Sequence, residues 1–346
     1  MRSAIRIRQN VPEQALFAAD TITSFRWGGQ KIPLSSDGLA SAPAYFIVSS
    51  GRSGNTLLRR LLMERFDTFI PPEIPGLGRC LRVLTKSRYR PWHVCVDSLV
   101  GQFVKSADIS VKNPESGEIY NLLDELEIDP VQMRAELAAL PADQRSLQRI
   151  LTSLYGAMLE KSSYSNTKST IIGDKTPWNA FYLMHINRYL PDSKFIHLVR
   201  HPLAVAYSYN TGLSAITGGS IEDGARRWVT AVSRCLALQN QKSSASFSTV
   251  SYESLTEEPE NQVQSLSTFL SLTRHATKNR KTWTEITTSD SKLIQHKRIN
   301  QPVDSSSVEK WKCAIDPQLR SRLGAIVLPT VEQLARETNI DYSDAL

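Results

Sequence analysis

The sequence has little cysteine, no long apolar run and no cluster of metal ligands, and each absence removes a class of protein. Four cysteines, Cys80, Cys95, Cys235 and Cys313, are scattered through 346 residues. No pair has metal-ligand spacing and no disulfide framework is suggested, so reduced thiols in a cytoplasm are expected. No apolar stretch approaches the ~18 residues that a membrane span needs. The first residues, MRSAIRIRQNVPEQALFAAD, are basic but carry no continuous apolar centre. They read as neither signal peptide nor anchor. Aromatic and basic residues do not interleave, so nucleic acid is not an expected partner. Internal repeats and low-complexity tracts are absent.

What is present is ordinary for a globular chain: 41% apolar and 22% charged residues. The length suffices for one large domain, or one domain with an insertion. A formal net charge of +7 suits an anionic partner, such as a charged nucleotide or an acidic acceptor. It equally suits a merely basic surface.

The chain is organised around Tyr45 to Leu62, YFIVSSGRSGNTLLRRLL. Tyr45 to Val48 has the apolar, β-branched pattern of a buried parallel strand. Ser49 to Thr56 is a turn of small residues. Leu57, Leu58, Leu61 and Leu62 then recur at helical spacing. Strand, small-residue loop and helix together make an anion cradle, because loop N–H groups and the positive helix end point at one place. Arg52 adds a forked, permanent charge. Gly54 is followed by Asn55-Thr56 and not by the Lys-Ser/Thr of a Walker A loop, which disfavours a metal-dependent NTPase.

Residues 1–44 read as a peripheral segment. From about 77 to 167 strand signals fade, and helices are expected over Pro130 to Ala139 and Arg145 to Lys161. This region reads as a helical insertion or lid that carries acceptor specificity. Strands are expected at 170–172, 194–199 and 248–252, and helices at about 179–189, 203–210, 222–241 and 259–270. Such alternation makes an α/β fold with a mainly parallel sheet and helices on both faces. Arg200 stands where one of those strands ends, the place where open α/β sheets bind ligands.

Gly51-Arg52-Ser53-Gly54-Asn55-Thr56-Leu57-Leu58 resembles the 5′-phosphosulfate loop of sulfotransferases, enzymes that use 3′-phosphoadenosine 5′-phosphosulfate (PAPS). Phe195 to Tyr209, FIHLVRHPLAVAYSY, resembles the family's 3′-phosphate site, in which an Arg closes a strand and a Ser follows eight positions later: here Arg200 and Ser208. Glu73 lies 21 positions after Arg52, and Lys175, in Asp174-Lys175-Thr176-Pro177, lies 25 before Arg200. These spacings look like the tyrosylprotein sulfotransferase branch and its bacterial relatives. Ser251-Tyr252-Glu253-Ser254-Leu255 resembles a strand end whose tyrosine contacts the nucleotide. Gln301-Pro302 with Lys310-Trp311 resembles the C-terminal loop that closes over PAPS.

The resemblance implies a P-loop-like three-layer α/β/α fold and transfer of a sulfuryl group from PAPS to an acceptor hydroxyl, leaving 3′-phosphoadenosine 5′-phosphate (PAP). It implies Glu73 as base, and Lys175 and Arg52 as stabilisers of the transferring group. Backbone groups from Ser53 to Leu57 would hold the 5′-phosphate, and no metal is implied. Gln295 falls where the family has a catalytic serine, with Ser289 and Ser291 nearby. Pro71 and Asp174 stand at a pair of positions that are cysteines in the secretory enzymes. His197 reads as a satisfied core residue, His201 as nucleotide-side and His93 as a reserve base. The acceptor is a phenol, sugar, lipid head group or peptide tyrosine. Two other readings use the same loop: a P-loop nucleotide kinase or NTPase, and a module that holds the nucleotide without turnover.

Overall fold

The computed structural model describes residues 24–27, 30–33, 43–71, 77–78, 80–82, 91–107, 111–112, 119–120, 128–162, 170–213, 219–241, 245–274 and 301–343. Its centre is a five-stranded sheet. In chain order the strands are β3 (Tyr45–Val48), β4 (Thr68–Phe69), β7 (Ile171–Asp174), β8 (Lys194–Val199) and β9 (Ser246–Ser251). Among the described residues, two short hairpins account for the remaining strands: β1 (Ser24–Trp27) with β2 (Gln30–Pro33), and β5 (Val111–Lys112) with β6 (Ile119–Tyr120).

The spatial order is β4-β7-β3-β8-β9, and every pairing is parallel. All five carboxyl ends therefore lie on one rim. Tyr45 to Val48 are all buried, as expected of a strand covered on both faces. Register fixes what meets at the rim. Val48 pairs with His197 and Val199 with Ser251. Arg200 thus leaves β8 beside Tyr252, close to the loop that leaves β3.

The helices are α1 (Asn55–Arg65), α2 (Trp92–Ala107), α3 (Pro130–Ala138), α4 (Leu147–Lys161), α5 (Leu183–Tyr189), α6 (Pro202–Ser208), α7 (Ile221–Gln239), α8 (Tyr252–Glu257), α9 (Pro259–Leu270), α10 (Lys310–Ala314) and α11 (Pro317–Thr338). The expected α/β architecture is present. Leu147, Ile150, Leu151, Leu154 and Met158 form the buried stripe that their spacing predicts. A second apolar cluster joins α6, α7, α10 and α11 around Trp228, Trp311 and Leu323.

Some differences from the sequence expectation fall at element ends, and others are whole elements. The Ser146 hydroxyl accepts from Arg149 N at 3.0 Å, so α4 begins at Leu147, not at Arg145. Ser251 likewise accepts from Ser254 N at 3.0 Å. Tyr252 therefore opens a helix and does not end a strand. The helix expected from 179 is a 3₁₀ turn, Pro177–Phe181, followed by α5. The α11 helix runs through Pro329, a residue that conceals it in the sequence pattern. The β1–β2 hairpin falls in the segment read as peripheral, and the β5–β6 hairpin falls in the stretch where strand signals fade.

Candidate active site

The turn between β3 and α1 has an unusual backbone. Gly51, Arg52 and Gly54 have φ of 81°, 55° and 90°. Successive left-handed residues gather backbone N–H groups into a concavity suited to an anion. No side chain caps the helix that follows, and its first N–H groups have no intrahelical acceptor. Side chains brace the turn from below. Ser49 Oγ accepts from Gly51 N at 2.9 Å and from Asn55 Nδ2 at 2.7 Å.

Two tyrosines press on the glycines. A Cβ on Gly51 would lie 2.5 Å from the hydroxyl of Tyr209, and one on Gly54 would lie 2.4 Å from the ring of Tyr252. Tyr209 donates to the Ser50 carbonyl at 2.7 Å. Close approach and positive φ together require glycine at both positions.

The second motif meets the first here. Arg52 Nε donates to Ser208 Oγ at 3.1 Å. Arg200 Nη1 donates to the Arg52 carbonyl at 3.0 Å, and Arg200 Nη2 to the Ser307 carbonyl at 2.6 Å. The Arg200 guanidinium lies 4.5 Å from the centre of the Tyr252 ring, a cation–π stack. Its Nε is buried without a hydrogen-bond partner among the described residues. Burial pushes the guanidinium pKa down, opposed by Tyr252, Glu253 and Tyr342. A forked, desolvated cation with a spare donor is a ready anion ligand. Trp228 Nε1 donates to the Arg200 carbonyl at 2.9 Å and fixes its backbone.

Lys175 follows β7 and is 2% exposed. Asp174, just before it, accepts from Tyr155 Oη at 2.5 Å and Asn179 Nδ2 at 2.7 Å. Burial raises the Asp174 pKa to about 6, and hydrogen bonds from Tyr155 and Thr176 and the charge of Lys175 oppose the rise.

Glu73 lies outside the described residues, as do Gln295, Ser289 and Ser291. Ile70, three positions before Glu73, has its carbonyl held by the buried Arg59 Nε at 2.6 Å. The Gln301 carbonyl accepts from Arg60 Nη1 at 2.8 Å. Gln301 and Pro302 are otherwise at the surface, and Lys310 opens α10 as an exposed residue. Ser53 and Asn55 are buried in the turn, while Thr56 and Leu57 are partly buried.

One histidine expectation needs correction, that of His197. His201 lies against the Trp311 segment. Its ring stacks on Trp311 at 4.3 Å, its backbone N–H donates to Glu253 Oε1 at 3.1 Å, and its Nδ1 accepts from Leu203 N. Burial, helped by Arg320, Lys312 and Arg200, lowers its pKa to about 3. His197 is a core residue, as expected, but neither ring nitrogen has a hydrogen-bond partner among the described residues. Burial alone lowers its pKa to about 3. His93 is exposed on α2.

Sequence reasoning missed Tyr209, Tyr155, Arg59 and Arg60. Tyr209 sits directly after the Ser208 that the motif singled out. The two arginines on α1 carry no signal to distinguish them from a solvated helix face, yet both are buried.

A family model described as "Sulfotransferase family" matches residues 43–276. Among solved structures, the sulfotransferase domain from the Synechococcus PCC 7002 olefin synthase is 22% identical, with a TM-score of 0.52 over 89% of this chain and 98% of that one. The sulfotransferase domain from the curacin biosynthetic pathway is 20% identical, with a TM-score of 0.50 over 83% and 97%. At such identity these likenesses speak to the fold. No curated protein matches. With the family model spanning the sheet, the β3–α1 turn and the Arg200–Ser208 segment, the chain belongs to the sulfotransferase family.

Proposed function

We propose that this sulfotransferase moves a sulfuryl group from PAPS to an acceptor hydroxyl on a small molecule, glycan or peptide, in the cytoplasm. One observation carries the reading: Arg52 and Arg200 are joined at one site through the Arg52 carbonyl, with Ser208 on the Arg52 side chain. A nucleotide with phosphates at both ends needs two such cationic groups close together.

The uncapped α1 terminus and the left-handed turn fit a 5′-phosphate held by N–H groups from Ser53 to Leu57, with Gly51 and Gly54 allowing close approach. Arg200, through its unused Nε, and Ser208 fit the 3′-phosphate. Tyr252, already stacked on Arg200, supplies an aromatic wall. Gln301, Pro302 and Lys310 belong to the segment that would cover the nucleotide. PAPS, when bound, supplies the activated sulfuryl group.

Catalysis in this reading is positioning plus charge balance. Lys175 and Arg52 offset negative charge on the sulfuryl and leaving oxygens. Glu73 takes the acceptor's proton, a role typically worth ~10² to 10⁴-fold in rate. The described helices within 77–167, with the β5–β6 hairpin, are taken as the insertion that shapes the acceptor side. The kinase or NTPase reading is not favoured, because the loop lacks Gly-Lys-Ser/Thr.

The test is binding, then transfer. PAP should raise the melting temperature of the protein in the absence of Mg²⁺, and radiolabelled PAPS should label one of a mixed set of hydroxyl acceptors. Stabilisation by Mg²⁺–ATP with none by PAP would overturn the proposal. PAP binding without transfer or hydrolysis would favour a non-catalytic module.

A further inference from the structure

We propose that Tyr155 is a positioning residue for the reaction: through Asp174 it ties α4 to the turn that carries Lys175. The inference rests on the reading of Lys175 given above. A carboxylate 2% exposed is costly unless its oxygens are well used. Asp174 uses both. Oδ2 accepts from the Tyr155 phenol and Oδ1 from Asn179 Nδ2. Thr176 also bonds to it, through side chain and backbone. Asn179 N in turn donates to the Thr176 carbonyl at 2.9 Å. Lys175 therefore sits inside a small loop closed on both sides by one carboxylate. The third tether, Tyr155, arrives from a helix 19 positions upstream.

That helix touches more than Asp174. Ile150, Leu151, Leu154 and Tyr155 line a small apolar void together with Leu77 and Leu81. Leu77 is four positions beyond Glu73. One rigid helix thus packs against the stretch that follows the proposed base and hydrogen-bonds to the residue before the proposed lysine. The tether to α4 fixes the turn that carries Lys175, and a one-ångström error between reacting groups is expensive in rate.

The groups that face Asp174 are Tyr155 on α4, with Cys80 beside the phenol, and Lys175, Thr176 and Asn179 on its own turn. The phenol bond opposes protonation of Asp174, so its loss should let the carboxyl hold its proton to higher pH.

The test uses the full chain with radiolabelled PAPS, water and p-nitrophenol as acceptors, and PAP for binding. Tyr155→Phe removes one oxygen and should lower turnover about tenfold, the effect of one lost bond to a charged group. PAP affinity should stay within about twofold, because the proposed nucleotide contacts lie in the segments that follow β3, β8 and β9. The acid limb of the pH–rate profile should move up from about pH 6, and Asp174→Asn should abolish that limb. Unchanged turnover and an unchanged limb in Tyr155→Phe would overturn the proposal. So would parallel losses of turnover, PAP affinity and melting temperature, which mark a merely structural role. Lys175→Met separates the two readings: if it keeps turnover, the Lys175 assignment fails. If it is inactive while Tyr155→Phe is normal, only the positioning role fails.

Discussion

Arg52 Nε and Ser208 Oγ are 3.1 Å apart although 156 positions separate the residues. Arg52 is held from behind as well, since its carbonyl accepts from Arg200. Its φ of 55° is sparsely populated for a residue with a side chain, and these bonds from α6 and the end of β8 offset that strain. Two separate stretches of sequence thus build one cationic surface.

Arg200→Lys tests that surface. Lysine cannot bridge the Arg52 and Ser307 carbonyls together, nor lie flat on Tyr252. PAP affinity should fall roughly 10- to 100-fold in calorimetry, the effect of one or two lost charged hydrogen bonds. Ser208→Ala should cost less. Undiminished PAP affinity in Arg200→Lys would restrict the arginine to tying down the loop.

Gly54→Ala combines two penalties, a φ of 90° and a methyl 2.4 Å from the Tyr252 ring. It should destabilise the protein by about 1–3 kcal/mol and abolish tight PAP binding. Adding Tyr252→Ala should recover part of the stability, because it removes the contact but not the backbone strain. Chemical denaturation of the single and double variants measures both.

Lys175→Met and Glu73→Gln should lower kcat steeply, by ~10² to 10⁴-fold for Glu73, with PAP affinity nearly intact. Single-turnover transfer alongside PAP titration separates the two quantities. Near-normal turnover in Glu73→Gln would move the base elsewhere.

Stability should depend on pH through groups whose contributions oppose one another. His197 has a folded pKa of about 3 against an ordinary 6.5. Below pH 6.5 the unfolded chain takes a proton there that the folded chain refuses, so stability is lost as pH falls from about 6.5 towards 3. His201 acts in the same direction. Asp174, raised to about 6 from 3.8, acts in the opposite one. Its folded form keeps the proton longer, so its contribution falls as pH rises from about 4 to 6. His197→Leu should therefore narrow the stability difference between pH 8 and pH 5 by on the order of 2 kcal/mol. Urea midpoints at the two pH values give the answer, and an unaltered difference would assign the acid sensitivity to other groups.

The β3–turn–α1 unit was legible because its signals are local. An apolar run, two glycines and a helical leucine stripe each need only a few neighbours. Arg200 and Ser208 were legible through spacing, and the buried stripe of α4 through periodicity. Tyr155 and Arg59 were not. A tyrosine among leucines and an arginine on an amphipathic helix look alike whether or not they reach a buried carboxylate or carbonyl. Adjacency to Arg200 in sequence does not say which way the His201 ring turns. Trp311, from far along the chain, stacks on it.

By itself, the sequence determined that strands alternate with helices and that a phosphate-sized cradle follows the strand at Tyr45. Hydrophobic periodicity and backbone-permissive residues report such facts directly. Only the tertiary structure decided which strand lies beside which. The order β4-β7-β3-β8-β9 puts the cradle between Lys175 on one side and Arg200 on the other. Periodicity records whether a side chain is buried, not what buries it, so the meeting of residues 52, 200 and 208 had to be decided by the packing of the sheet.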